Sequence, residues 1–394
     1  MANELGANIS RVALPLVAVL ALNAGPVEVG LLSALQTAAF LLIGLPTGVW
    51  VDRMRRRRVM VVSDLVRFVL LASIPVAARL EVLSITMMFA VALLVGVAQV
   101  FNDVADQTYL PDLVSAQRLG DGNSKLEVVR SGSFLAGPGL GGALVQLVGA
   151  PATMLASALG ALTSSFFLIS IKSPDKPPSG RESEPLLRGI ATGLRYVWRD
   201  RLMRMFAASS ALVNLTVGAI LGQSVLFLAE DVRLSPGLIG VLLMSGGFGG
   251  LIGGFAGGWL SRKFGTARMT LLAVTVPAPF GLLMPLTQAD WRVVFFAVAS
   301  IALSVSSALG SVGQITYRQT TAPEHLLGRI NASVRFLAWG ALPLGALLGG
   351  LLAQEIGVRA TLWVCMAGRL LSIVPLLFSP LPGLRAFDEA QVRS

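Results

Sequence analysis

Long apolar runs, broken by short polar or basic stretches, set the rhythm of this chain. A helix that crosses a ~30 Å hydrocarbon core needs about 20 mostly apolar residues. Runs of that length fall at roughly 5–22, 29–50, 59–79, 83–107, 124–148, 151–171, 202–229, 237–259, 268–288, 291–315, 330–354 and 358–379. They predict twelve membrane-spanning helices. Helices rather than a barrel follow from the length of the runs, because lipid requires every backbone N–H and C=O to be paired within its own helix or within a closed sheet. The connections are short except for 172–201. The expected division is a first bundle at 1–171, a linker at 172–201, a second bundle at 202–379 and a tail at 380–394.

Composition sharpens this picture. Only 13% of residues are charged and 54% are apolar, against about 25% charged in an average soluble domain. That excludes an ordinary soluble enzyme, a disordered chain and a nucleic-acid-binding domain. The net charge of +10 reflects Lys and Arg retained in cytoplasmic loops. With the N-terminus inside, the inner loops, linker and tail hold 22 of the 31 basic residues and the outer loops hold four, Arg79, Arg233, Arg292 and Arg359. Both termini are therefore expected in the cytoplasm of a cell-membrane protein. Cys365 is the one cysteine and His325 the one histidine, so an internal disulfide, a His-rich metal site and a Ser-His-Asp triad are excluded. No cleavable leader is expected, because the first apolar run follows Met1 without a basic region.

The two halves repeat. Thr108-Tyr109, Gly137, Gly141-Gly142, Gln146 and Gly149 recur as Thr316-Tyr317, Gly345, Gly349-Gly350, Gln354 and Gly357, all at an offset of 208, and Asn123 recurs as Asn331. A block from Gly48 to Arg53 recurs at 210 as Gly258 to Lys263. A constant offset through glycines and polar residues implies two six-helix bundles of like orientation, with the transport path where they meet.

The stretch Gly48-Val-Trp-Val-Asp52-Arg53-Met-Arg55-Arg56-Arg57-Arg58 joins the second and third spans. It resembles the G-x-x-x-D-R/K-x-G-R-R/K signature of the major facilitator superfamily, with Arg55 where that family usually has glycine. Span 5 carries Gly137-Pro138-Gly139-Leu140-Gly141-Gly142, which is similar to the G-P-x-x-G-G signature of the superfamily's antiporters. Ser133 stands where a glycine is usual a turn upstream. Phe101 to Leu113 with Asn123 resembles the macrolide-efflux-like and siderophore-exporter-like members, although span 4 lacks the arginine that many twelve-span drug–proton antiporters carry.

The resemblance implies an all-α fold of two pseudo-symmetric six-helix bundles that is not an enzyme and uses no cofactor. It also implies a conformational gate. In the family, the aspartate at the position of Asp52 ties the inner ends of spans 2 and 11, and a carboxylate beside helix N-terminal amides gains ~0.3–1 kcal/mol. Gly48, Arg53, Arg56 and Arg57 join that gate, unless the arginines are topology anchors alone. Spans 5 and 8 meet in the family, so Gly137, Pro138, Gly141 and Gly142 are expected to slide on the glycine rows of span 8, which include Gly250 and Gly254. The alternative is fixed helix packing through the same residues.

Ionisable groups inside a span cost at least ~2.5–3.5 kcal/mol near the bilayer centre and are functional suspects by default. Asp64/Arg67 and Glu127/Arg130 are spaced i, i+3 and are expected to pair along their own helices. Arg11 has no partner within a turn, and Asp103 and Asp106 share a face of span 4. Because spans 1 and 4 line the cavity in the family, Arg11 is expected to face Asp103 and to modulate its protonation, or to form a static pair with it. The second half has no deep acid. Its cavity residues are read as Asn214, Gln223, Gln314 and Tyr317, with helix–helix hydrogen bonding as the alternative role. Arg335 lies near a span end, and Arg369 near the middle of span 12 has no assigned partner. The resulting expectation is a monomeric, proton-coupled exporter of lipophilic small molecules, cationic if the acids of the first half recognise them. A siderophore or lipid exporter on the same fold and a non-transporting scaffold or sensor are the alternatives.

Overall fold

A computed structural model describes residues 1–113, 119–171, 186–323 and 326–387, except for side chains at 45, 49, 52, 107–108, 110–113, 119–124, 186–190 and 328. Arg118, Lys172, Lys176, Arg181, His325 and Arg393 lie outside it, as do the side chains of Asp52 and Asn123. Among the described residues there are helices and no strands. In chain order they are α1 (Ala2–Leu22), α2 (Pro26–Asp52), α3 (Arg56–Arg79), α4 (Ile85–Leu113), α5 (Leu119–Val148), α6 (Ala150–Ser170), α7 (Leu186–Arg199), α8 (Arg201–Leu226), α9 (Pro236–Phe264), α10 (Thr266–Thr275), α11 (Val293–Thr321), α12 (Leu327–Ile356), α13 (Val358–Leu370) and α14 (Val374–Leu377).

Among the described residues, eleven stretches are helical, long and apolar enough to cross a membrane. The twelfth expected span lies in α5, whose first half carries Lys125, Glu127 and Arg130 and whose second half is rich in glycine. Proline and glycine shape the ends. Helix α10 passes into a tighter 3-10 run, Ala278–Leu286, where Pro277, Pro279 and Pro285 each remove a backbone donor. A five-residue π turn, Phe227–Asp231, continues α8.

Contacts divide the chain into two compact units, Met1–Ser183 with Ser224–Met244, and Glu184–Gln223 with Ser245–Ser394. In the first, α1 packs on α5 and α6, α3 on α4 and α6, and α2 on α4. The end of α8 and the start of α9 also belong here. In the second, α11 packs on α10 and its 3-10 extension, and α12 packs on α7 and α13. Two elements lie outside the expected spans. The linker contains α7, whose Val197 is buried and whose Tyr196 hydroxyl donates to the Thr321 carbonyl at 3.3 Å. Burial, and then the neighbouring Asp200, push that phenol above its usual range. The start of the tail is also packed: Leu381, Leu384 and Phe387 are buried, and the Ala267 amide donates to the Arg385 carbonyl at 3.2 Å.

The duplication is visible as geometry within each unit. Gly137 and Gly141 of α5 lie against Asn8 and Ile9 of α1, while Gly345 and Gly349 of α12 lie against Leu215 and Ala219 of α8. Gly149 caps α6 at φ 87, ψ 157, and Gly357, 208 residues on, caps α13 at φ 85, ψ 156. That corner of the map is open essentially to glycine alone. Gly265 sits there as well, at φ 84, ψ 153. Its counterpart at the offset of 210 is Arg55, which caps α3 at φ −74, ψ 112. The arginine that replaces the usual glycine therefore marks a different turn.

The glycine rows of α9 have unlike surroundings. Nothing lies within 4 Å of a Cβ built on Gly250 or Gly254. Gly249 and Gly253 face α11 instead, against Ile301, Ser304, Val305 and Ala308. The close crossing with α5 lies further up α9, where Gly240 meets Pro138 and Gly142, and Gly237 meets Gln146. A helix presents one residue in three or four to a given neighbour, and tertiary packing selects which row is used. A Cβ on Gly240 would stand 2.6 Å from the Pro138 carbonyl and 2.9 Å from the Gly142 Cα, so backbone would have to move. Gly240→Ala is expected to cost ~1–3 kcal/mol, read as a lowered Tm in detergent. Gly254→Ala should be neutral or slightly stabilising by the same measurement.

Candidate functional site

In the first unit, four helices bring their charged and amide side chains together. Asp64 and Arg67 of α3 are buried, at 0% and 2% exposure. Their closest atoms are 3.7 Å apart, so the expected pairing along one helix is made. It is extended from outside the helix. The Asn102 amide of α4 donates to Asp64 Oδ1 at 2.8 Å, and Arg67 donates to the Asn3 side-chain oxygen of α1. Asn3 in turn donates to Asn102 at 3.4 Å. A charge this deep is tolerated only when it is paired and hydrogen-bonded.

The second expected helix pair is not made. Arg130 of α5 reaches across to Asp106 of α4 at 2.7 Å and lies 3.9 Å from Glu4 of α1. Glu127 instead accepts from the Ser131 hydroxyl at 3.3 Å. An i, i+3 pair on an exposed face gains only ~0.2–0.5 kcal/mol, less than a charge-assisted bond between helices can return. Arg11 and Asp103 likewise form no ion pair with each other. Arg11 is exposed, with its guanidinium 5.9 Å from the centre of the Phe134 ring. Asp103 is half-buried and accepts one hydrogen bond, from Gln99 Nε2 at 2.6 Å. Of the acids on α3 and α4 just described, Asp103 is the one without a cation at bonding distance.

In the second unit, a cavity of about 280 Å³ opens among α8, α11, α12 and α13. Asn214 and Gln314 both line it, as do Ser210, Ser307, Trp339 and Arg369. The Ser210 hydroxyl donates to Gln314 Oε1 at 2.8 Å. The Asn214 amide donates to the Ser210 carbonyl one turn back, at 2.9 Å. The other two residues expected here lie elsewhere. Tyr317 donates to Asp200 Oδ2 at 3.0 Å and packs edge-on against Phe206 and Phe387, with ring centres 5.8 and 5.2 Å away. Gln223 is buried at 1% exposure, outside the cavity lining. Sequence reasoning missed the cavity's hydroxyls. Their signal was the helical spacing of Ser307, Gly310, Ser311 and Gln314 along α11.

The loop between α2 and α3 is basic and open. Arg53 and Arg58 are exposed and border a groove of about 660 Å³ walled by Val62, Val66, Leu94 and Val97. Arg56 is partly buried, Arg57 donates to the Ile169 carbonyl of α6, and nothing lies within 4 Å of a Cβ built on Gly48. Among the described residues no cluster of three His, Cys, Asp or Glu could hold a metal ion.

A family model described as Major Facilitator Superfamily matches residues 1–342. The multidrug efflux pump Tap of Mycolicibacterium fortuitum is 32% identical over 98% of this chain and 94% of its own length. The pump of the same name from Mycobacterium tuberculosis (strain ATCC 25618 / H37Rv) is 30% identical over 88% and 83%. The enterobactin exporter EntS of Escherichia coli O1:K1 / APEC is 29% identical over 92% and 85%. Among solved structures, a bacterial homologue of the iron transporter ferroportin in an inward-facing state superposes with a TM-score of 0.75 at 19% identity, covering 95% and 96% of the two chains. The nucleoside transporter NupG gives 0.75 at 10% identity over the same shares. Both show that the fold is shared.

The buried pair yields a stability prediction. Asp64→Ala strands the Arg67 guanidinium and is expected to cost roughly 3–5 kcal/mol, seen as a large fall in Tm in detergent. Adding Arg67→Met to Asp64→Ala should recover most of that loss. A double variant no more stable than Asp64→Ala would refute the assignment.

Proposed function

Since the chain belongs to the Major Facilitator Superfamily of membrane transporters, we propose that it is a proton-coupled exporter of amphipathic, lipophilic small molecules that works by alternating access. The observation that carries the export reading is the 32% identity, over nearly the whole length of both chains, to the multidrug efflux pump Tap. The same reading places twelve spans in a cell membrane with both ends in the cytoplasm, supported by the bias of basic residues among the loops. The transporter acts on a small molecule and performs no covalent chemistry.

Asp103 is the proton carrier in this reading. Asp64 and Asp106 are each in an ion pair with an arginine. Asp103 has one amide donor and no cation at bonding distance, so it can gain and lose a proton without breaking an ion pair. Arg11, held by a ring rather than a carboxylate, is the cation available to approach Asp103 in another state and expel that proton. Gly48, Asp52, Arg53, Arg56 and Arg57 form the proposed gate. The α5 glycines and Pro138 form the proposed bearing, with Gly240 as their partner on α9. A second reading, siderophore export, is favoured by the likeness to EntS.

The test is transport by purified protein in proteoliposomes under an imposed pH gradient, with ethidium as the reporter. Asp103→Asn should reduce gradient-driven efflux to background while leaving ethidium exchange without a gradient measurable. Intact gradient-driven efflux in that variant would overturn the proton-carrier assignment.

A further inference from the structure

The cavity of the second unit holds a charge that the transport reading does not use. Arg369 of α13 is 3% exposed and lines the cavity. Its hydrogen bond is to Ser307 Oγ at 3.4 Å, beyond the ~2.7–3.2 Å usual for N–H···O bonds. A guanidinium offers five N–H donors, so most of this one's capacity is uncommitted. No Asp or Glu lines the cavity. Arg67 in the first unit sits at the same depth of burial but beside the Asp64 carboxylate and donating to the Asn3 side-chain oxygen. Arg369 has no such set.

The rest of the lining favours one sign of charge. Ser210 occupies Gln314 Oε1, which leaves the Gln314 NH2 group without a partner among the described residues. The hydroxyls of Ser307 and Ser311 are further donors. A cation entering here would meet a guanidinium and no carboxylate, whereas an anion would meet charge-assisted donors. Trp339 supplies a flat apolar wall. The volume, about 280 Å³, lies near the low end of small-molecule sites, ~300–1,000 Å³, and has room for one aromatic ring with its substituent.

We propose that this cavity is an anion site in which Arg369 holds the carboxylate of an aromatic amphiphile, with the ring against Trp339 and the amide of Gln314 as a second donor. The proposal deepens the exporter reading by adding organic acids and zwitterions to its substrate class. Its test reads binding rather than transport, so the two stand or fall separately.

The purified protein is melted in detergent with sodium benzoate, with benzamide, which has the same shape without the charge, and with sodium chloride at matched ionic strength. Benzoate should raise Tm by several degrees at saturation, and benzamide and chloride should not. Arg369→Gln should abolish the benzoate shift and Arg369→Lys should weaken it. Ser307→Asp places a carboxylate beside the guanidinium. It should raise Tm without ligand and remove the response to benzoate, which decides the matter even if Arg369→Gln fails to fold. Equal shifts from benzoate and benzamide, or a benzoate shift that survives in Arg369→Gln or Ser307→Asp, would overturn the site. An equal shift with chloride would overturn its assignment to an organic acid.

Discussion

A charge held in hydrocarbon has to be neutralised by a partner or be engaged in the protein's work, and that constraint orders the interior of this molecule. Water is too far away to solvate a guanidinium at the depth of Arg67, so the Asp64 carboxylate and the Asn3 amide oxygen take its place. The same rule draws Arg130 across to Asp106 and Glu4. Outside these pairs stand Asp103, Arg11 and Arg369, the charges on which the two proposals draw. The first two underlie the proposed proton step, and the third the proposed anion site.

The other constraint is the absence of a hydrophobic drive between helices in lipid. Side chains gain little by leaving acyl chains for one another, so close packing and backbone approach must hold the helices. Glycine provides that approach where α5 crosses α1 and where α12 crosses α8. The same device recurs at Gly142 and Gly240. A crossing without side chains has few interlocking atoms to unlock, which suits the proposed sliding joint.

The two polar sites differ in kind. The first unit's is a network of acids and bases in which Asp103 is held by an amide rather than by a cation. The second unit's is a small donor-rich cavity around a single cation. On the two proposals, the duplicated architecture carries unlike chemistry, proton handling in one copy and recognition of a ligand in the other.

Spans, internal repeat and family were legible in the sequence because each depends on local composition or a constant offset. Hydropathy follows from bilayer thickness whatever the neighbours are, and the positive φ of Gly149 and Gly357 makes glycine obligatory in both copies. The candidate site was legible only as a set of residue types. Which acid Arg130 chooses, which glycine row of α9 meets α5, and whether Tyr317 joins Asn214 and Gln314 or turns to Asp200 all depend on how each helix is rotated about its axis. A rotation of one residue, about 100°, changes every partner while leaving the hydrophobic pattern intact, so those choices belonged to the packed structure alone.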